Sequence, residues 1–403
     1  MAAAVIGEAA PSPGATGVRR PSWNPLRVGG TSLPPHLLLI AKLIVLTFLL
    51  KRVEPLSDVY LPFLRIFDQL NPMGFYRVSQ VVFAAAAVAL LVNRWVRAAS
   101  FTLGSLILLA LLASRPFNRD ATLFCGAILL LIGLYVPRYG IWLLRLQIIV
   151  VYFGAAYNKF LEPDWPSGQF FQHWMTNTYG KAWYGWITSH FPPLLVSKVM
   201  SRMVMAMESF LTLGFSIPRL YPAAIWVGML LHTGMLVFVN ETFKVFFYGI
   251  LASYLVFVRW PSSPVRVIYD DDCSFCTRAR DFLARFDLED RFQWIPLQAV
   301  TPGEEMPRQP ELRQALHLLA DGTVYRGFRA FKMLLLYNPL TYFLLLMILA
   351  LPQPHWFYYR KWLALLLLLL FSRLFEPIGE AAYALVARNR QWFSSKCALP
   401  AEK

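Results

Sequence analysis

The ten residues 267–276, VIYDDDCSFC, hold the side chains in this chain best placed to do chemistry. A β-branched run ends in three acidic residues, and Cys273-x-x-Cys276 then opens an Arg-rich stretch of helical period. Cysteines three apart on the first turn of a helix can close a disulfide with each other. The free N–H groups and dipole of the helix N-terminus favour a thiolate at Cys273, the species that attacks disulfides or binds metal. Arg278 and Arg280 would lower the pKa of that thiol, whereas Asp270, Asp271 and Asp272 would raise it.

Several chemistries compete for this segment. Half of a zinc site needs two further N or S ligands, and only His317 and Cys397 offer themselves. Asp270-x-Asp272-x-Ser274 after a strand resembles the phosphatase motif of haloacid-dehalogenase enzymes, but no Asp pair for magnesium follows residue 290. Dithiol–disulfide exchange fits best, with Cys273 the attacking, more accessible sulfur and Cys276 the resolving one. The plain alternative is two reduced cysteines without a catalytic role. The remaining cysteines, Cys125 in an apolar run and Cys397 near the C-terminus, make no disulfide framework.

A second set of chemically capable residues lies within apolar runs, where an ionisable group is costly and therefore marks a candidate site. These are Lys159, Glu208 and His232, expected to line one polar pocket. Structural roles compete here too: Lys159 as an interfacial anchor, Glu208 paired with Arg202 or Arg145, and His232 as a hydrogen-bonded packing residue.

The elements that must hold these groups follow from composition. Of 403 residues, 57% are hydrophobic and 15% charged, against about 25% charged in ordinary soluble domains. That balance predicts an integral membrane protein with the lipid bilayer as its first partner. The net charge of +15 does not argue for nucleic acid, because the arginines stand singly between apolar runs. Such runs recur at 35–51, 76–93, 99–114, 121–136, 141–158, 197–216, 221–239 and 243–258, predicting eight membrane helices after a disordered arm over 1–34. Between the fifth and sixth, 159–196 carries Trp165, Trp174, Trp183 and Trp186, as expected of an interfacial cap. Arg94, Arg97, Arg138, Arg219 and Arg259 share a side with the basic arm. The positive-inside rule then puts the N-terminus in the cytoplasm and the cap outside; Lys51, Arg52, Arg115 and Arg119 run against it.

Beyond 259 the period changes. VRVIYD reads as a strand, 274–286 as a helix and FQWIPLQ as a strand. A helix over 309–315, a hairpin turning at Asp321-Gly322 and a helix over RAFKMLLLY follow. The order β-α-β-α-β-β-α is that of a thioredoxin-like fold. An apolar helical hairpin over 338–372 then interrupts the C-terminal unit.

Two resemblances add to this reading. Asp270, Cys273 and Cys276, with Gly327-x-x-Ala330, Tyr383-x-x-x-Ala387-x-Asn389-Arg390 and Cys397, resemble the DCC family of thiol–disulfide oxidoreductases over about 265–400. Asp271 stands where that family usually has Gly, the apolar hairpin is an addition, and no proline precedes the hairpin strand. The segment RLQIIVVYFGAAYNKFLEPDWPSGQFF, 145–171, resembles the HTTM domain shared with vitamin K-dependent γ-carboxylase, over roughly 35–258. That resemblance puts Lys159 at the position of the carboxylase's proposed catalytic base and His232 at a histidine of a late membrane helix. A preceding lysine of that family is Asn158 here.

The fold class expected is therefore a polytopic α-helical membrane protein, 35–258, with a C-terminal α/β thioredoxin-like domain, 259–403, carrying an apolar hairpin. The function expected is thiol–disulfide exchange through Cys273, Cys276 and Asp270, coupled to a γ-carboxylase-like membrane domain bearing Lys159, Glu208 and His232. The other reading is a non-catalytic or transporter-like helper in maturation or export of a peptide. Substrates would be a thiol or peptide, and no metal or cofactor motif is present; a quinone acceptor is compatible but encoded by no motif. The location expected is the inner membrane of the cell, with the C-terminal domain cytoplasmic.

Overall fold

Proline and small polar residues set where the first helices begin. Pro35 opens α1 (Pro35–Leu50) at a position where its missing N–H costs nothing. Asn71 caps α2 (Pro72–Leu91) by accepting a hydrogen bond from the Gly74 N–H at 3.1 Å. The computed structural model describes residues 24–51, 64–67, 71–113, 120–178, 182–238, 244–300, 315–350 and 375–392, with positions 69, 180, 313 and 372. Each apolar run contributes a helix. After α1 and α2 come α3 (Val96–Ala113), α4 (Asp120–Gly133) and α5 (Trp142–Leu161). The Trp-rich segment folds as α6 (Asp164–Ser167), α7 (Gln169–His173), a π turn (Trp174–Thr178) and α8 (Ala182–His190). Then follow α9 (Pro193–Ser216), α10 (Tyr221–Phe238) and α11 (Lys244–Ser253), which a 3₁₀ turn (Tyr254–Phe257) extends.

These helices share one apolar core that runs from Leu37 and Ile44 of α1 through Leu103, Ile128 and Ile148 to Phe215 and Ile250. α3 and α4 approach most closely at glycines. A Cβ on Gly104 would stand 2.3 Å from the Leu130 backbone nitrogen, and one on Gly133 2.5 Å from that of Phe101. Neither position accepts a larger residue without separating the helices. The Trp-rich segment has its own small core, Phe171, Met175 and Tyr184, with Trp165, Trp174 and Trp183 around it. Apolar side chains also face outward, among them Val78, Val81, Leu112, Val150, Phe153 and Phe160.

The C-terminal unit is a small mixed sheet with helices. Its strands are β1 (Val265–Tyr269), β2 (Phe292–Pro296), β3 (His317–Ala320) and β4 (Thr323–Arg326), in the order β2-β1-β3-β4. β1 is parallel to β2 and antiparallel to β3, and β3 and β4 form an antiparallel hairpin. The turn falls at Asp321 and Gly322, both with positive φ, and Asp321 accepts from the Ser262 hydroxyl at 2.9 Å. α12 (Ser274–Arg285) connects β1 to β2. α13 (Gly327–Leu336) follows β4, and α14 (Pro339–Ala350) leaves it at a bend of 72°. α15 (Glu376–Arg388) ends the described chain with a 3₁₀ turn (Arg390–Trp392). Val265, Val267, Phe292, Leu318, Ala330 and Leu334 form its core. The second arm of the expected apolar hairpin lies outside the described residues, as does most of the helix expected over 309–315.

Among the described residues, α2 and α3 are long and apolar enough to cross a membrane, and α13 with α14 makes a third if the bent pair counts as one span. The expectation of eight spans counted apolar runs alone. α5 and α9 have 20 and 24 residues, but they carry Arg145 and Lys159, and Lys198, Arg202 and Glu208. α1 is apolar but shorter.

The segment 24–34, the end of the arm expected over 1–34, joins the two units. Val28 and Leu33 are buried. The Lys42 ammonium donates to the carbonyls of Pro25 at 2.7 Å, Arg27 at 2.6 Å and Leu91 at 3.1 Å. Glu289, from the C-terminal unit, accepts from the N–H groups of Val28 and Gly29, the latter at 2.8 Å. α14 reaches back as well: the Tyr248 hydroxyl of α11 donates to the Leu349 carbonyl at 2.7 Å.

Candidate redox site

β1 delivers Asp270 to the C-terminal edge of the sheet, and the chain turns there into α12. Cys273 is the N-cap of that helix, and its carbonyl accepts from the Thr277 N–H at 3.0 Å. The cap position directs the Cys273 side chain inward, where it is fully buried. Cys276, one turn on, is only partly buried. The expected order of accessibility is therefore reversed: Cys276, not Cys273, is the more accessible sulfur. The two are also not bonded to each other. Cys276 is a free thiol, as is Cys125, and Cys273 is disulfide-bonded. The remaining cysteine, Cys397, lies outside the described residues.

The charge that faces the thiol comes from the far end of the chain. Arg390 Nη1 stands 3.9 Å from Cys276 Sγ and 3.3 Å from Asp270 Oδ2, with the Arg390 side chain only 6% exposed. Burial pushes the Cys276 thiol above its ordinary pKa; Arg390 opposes that shift and Asp270 adds to it. The net direction is upward, so this sulfur rests as the thiol. Arg278 and Arg280, expected from sequence to tune the dithiol, are engaged elsewhere. Arg278 donates to the Ser274 carbonyl at 3.3 Å, and Arg280 pairs with Asp281 at 3.1 Å over the Tyr269 ring. Asp272 accepts from Gln298 at 2.8 Å and lies 3.6 Å from Arg313. Asp271 Oδ1 and Arg390 Nε are buried without a hydrogen-bond partner among the described residues.

Cys276 lines a cavity of about 170 Å³ whose walls include Phe275, Trp294, Phe331, Tyr383 and Arg390. α15 forms one wall and is anchored at three points. Tyr383 Oη accepts from the Leu316 N–H at 2.8 Å, Glu380 from the N–H groups of Phe328 and Arg329 at 3.3 Å, and Glu376 pairs with Arg329 and Lys332. Tyr383 and Arg390 were visible in the sequence as parts of the Tyr-x-x-x-Ala-x-Asn-Arg segment. That they face Cys276 follows only from the fold. His317, weighed as a zinc ligand, is buried with Nδ1 against the Ala315 carbonyl at 2.8 Å.

The three ionisable residues of the helical bundle fall into two groups. Lys159 of α5 and Glu208 of α9 are paired, Nζ lying 2.9 Å from Oε1 and 2.8 Å from Oε2. Trp165 of α6 covers the ammonium, with its ring centroid 4.8 Å away. The alternative partners of Glu208 are used differently: Arg202 donates to the Pro166 carbonyl and Arg145 to that of Val256. His232 of α10 instead hydrogen-bonds the Tyr152 hydroxyl through Nε2 at 2.7 Å, and that hydroxyl also bonds Tyr254. Tyr152 and Lys159 lie on the same helix, two turns apart.

Against known proteins, no curated protein and no solved structure matches this chain. Residues 267–362, which contain β1, Asp270, both cysteines of the Cys-x-x-Cys and the hairpin, match the family model of the DCC1-like thiol-disulfide oxidoreductase.

Proposed function

We propose that this chain is a membrane-bound thiol–disulfide oxidoreductase whose C-terminal unit is thioredoxin-like and works through Cys276 and Cys273. The observation that carries the reading is the position of Cys276: a free thiol on the first turn of α12, open to a cavity, with the Arg390–Asp270 pair at its sulfur. The strand order and directions of the sheet agree with a thioredoxin-like core, and the family match of 267–362 supports thiol–disulfide redox chemistry.

In the reduced form, Cys276 loses its proton and attacks one sulfur of a substrate disulfide. That bond breaks, the leaving thiolate takes a proton, and a mixed disulfide with Cys276 forms. Cys273 then attacks Cys276 Sγ, closing the Cys273–Cys276 disulfide and releasing the second substrate thiol. The substrate gains two electrons and two protons and the protein loses them; a second dithiol returns them. Arg390 favours the thiolate at each stage in which Cys276 attacks or leaves. Asp270 holds that guanidinium in place.

For 35–258 we propose an HTTM-like membrane domain. The outward-facing apolar side chains of α2, α3 and α5 favour a lipid environment. The Lys159–Glu208 pair under Trp165 favours a built polar site. The second reading, a non-catalytic helper for a peptide partner, is favoured by the same pairing, since a satisfied ion pair also serves as a structural clamp. Orientation remains as the basic loops suggest: cytoplasmic N-terminus and redox unit in an inner membrane, cap on the opposite side. In a reducing cytoplasm the dithiol state would dominate, making the protein a reductant or a sensor.

The test is a redox titration of the purified protein in detergent with thiol trapping at each potential. A two-electron transition involving Cys276 and Cys273 is expected. Thiols that stay unchanged across the titration would refute the enzymatic reading.

A further inference from the structure

Cys276 lines a cavity of about 170 Å³ where β2, α12, α13 and α15 meet. Most of its walls are apolar, among them Phe275, Leu283, Trp294, Phe331, Tyr383 and Val386. Thiol exchange needs a sulfur and the groups that govern its charge; a chamber of rings beside the sulfur is not required by that chemistry. We propose that the cavity is a specificity pocket: it receives the aromatic or branched aliphatic side chain next to the cysteine of a peptide under exchange, while Trp294 and Arg390 donate to a carbonyl of that peptide. This inference rests on the thiol-exchange reading above and adds the class of substrate.

Size sets the first limit. An apolar cavity of about 150 Å³ inside a protein can hold a benzene ring. The space beside Cys276 therefore takes one ring or one branched side chain, and not a folded segment. A sulfur alone gives a passing peptide little to bind. Burying one large apolar side chain supplies the affinity that the sulfur does not.

Charge sets the second. The arginines that line the cavity each already face a carboxylate: Arg390 with Asp270 at 3.3 Å, Arg280 with Asp281 at 3.1 Å and Arg313 with Asp272 at 3.6 Å. An acidic side chain entering here would give up its water without gaining an unmatched cation. What the walls leave over are neutral needs. The indole Nε1–H of Trp294 and the Nε–H of Arg390 are buried without an acceptor among the described residues. Buried donors are as a rule paired, so two such groups on the walls of one cavity mark where an acceptor belongs. A backbone carbonyl adjoining the buried side chain meets that need and brings no charge to desolvate.

Rates on short peptides test this. The full-length Cys273→Ser variant, in detergent, is offered the symmetrical disulfides of acetyl-Phe-Cys-amide, acetyl-Leu-Cys-amide, acetyl-Gly-Cys-amide and acetyl-Asp-Cys-amide. In each reaction the Cys276 thiolate bonds one peptide sulfur, the peptide disulfide breaks, and the other peptide leaves as a thiolate that takes up a proton. Adducts are counted by intact mass and located by peptide mapping, and each rate is divided by that of the same disulfide with free mercaptoethanol. The phenylalanine and leucine peptides are expected to react about tenfold faster than the glycine peptide, and the aspartate peptide no faster than glycine. Ala387→Phe, which fills the cavity from α15, should bring the ratio of phenylalanine to glycine rates close to one. Trp294→Phe keeps a ring, loses the N–H, and should slow the phenylalanine peptide several-fold. Equal rates for all the peptides at Cys276, a preference for aspartate, or a phenylalanine preference that survives in folded Ala387→Phe would overturn the pocket and leave thiol exchange standing. If no peptide forms an adduct on Cys276, both fail.

Discussion

Arg390 and Cys276, 114 residues apart in the chain, meet with guanidinium nitrogen and sulfur 3.9 Å apart, and Asp270 is held 3.3 Å from the same nitrogen. A buried thiol beside a carboxylate alone would be a poor nucleophile. Among the described residues, the arginine is the group at this sulfur that works against both burial and Asp270. The charge at this sulfur therefore depends on α15 and the turn after it packing beside the motif.

Removing that arginine should leave a thiol that ionises less readily. Arg390→Ala is expected to raise the Cys276 pKa further and slow its alkylation at pH 7 by about tenfold, the equivalent of about 1.4 kcal/mol. Asp270→Asn should act in the opposite direction, because it removes a carboxylate that disfavours the thiolate. Iodoacetamide labelling of Cys276, located by peptide mapping and followed against pH, separates the two.

The clamp between α13 and α15 should weaken in acid. Burial would raise the Glu376 pKa, but its ion pairs with Lys332 and Arg329 outweigh that and hold it below the ordinary value. A carboxylate with a depressed folded pKa adds stability above its unfolded pKa of about 4.3, and loses it as pH falls through the folded value. Glu376→Gln is expected to lower the melting temperature at pH 7 and to converge with the parent protein near pH 3. Thermal melts at both pH values, followed by tryptophan fluorescence, check this.

In the bundle, each partner of the Lys159–Glu208 pair should be worth more to the other than to the fold. Lys159→Met strands the carboxylate, at a cost of about 3 kcal/mol or more for a buried pair broken on one side. Lys159→Met combined with Glu208→Leu should recover much of that loss. A double-mutant cycle on detergent stability measures the coupling. The cysteine peptides of Lys159→Met should map as in the parent protein.

Glu289 ties the N-terminal segment to the redox unit through the N–H groups of Val28 and Gly29. Glu289→Ala leaves both donors and Arg291 without that acceptor, a loss of about 1–3 kcal/mol locally. Limited proteolysis should then cut within residues 24–34 faster than in the parent protein.

Much of the architecture was legible from periodicity. Each apolar run became a helix, and the switch near 259 to short β-branched runs anticipated four strands and a turn at Asp321 and Gly322. What composition did not reveal was length set against charge. Arg145, Lys159, Lys198, Arg202 and Glu208 interrupt helices that seemed apolar by run, leaving α2 and α3 as the helices long and apolar enough to cross a membrane among the described residues. The site was half legible. Cys-x-x-Cys at a strand-to-helix turn marked the chemistry, but an N-cap side chain can face outward or inward, and only packing decided that Cys273 goes in. Nor could sequence order rank the arginines: Arg278 and Arg280 are near in the chain but bond the Ser274 carbonyl and Asp281, whereas Arg390 is remote and makes the contact. Glu208 shows the same limit, having chosen Lys159 over Arg202 and Arg145.

The central claim is that Cys276 is the sulfur that meets the substrate. Glutathione disulfide offered to the Cys273→Ser and Cys276→Ser variants tests it most directly, with adducts counted by intact mass and located by peptide mapping. The account predicts one glutathione on Cys276 of the Cys273→Ser variant, formed faster as pH rises, and little on the Cys276→Ser variant. An adduct that forms readily on Cys273 while Cys276 remains unmodified would contradict it.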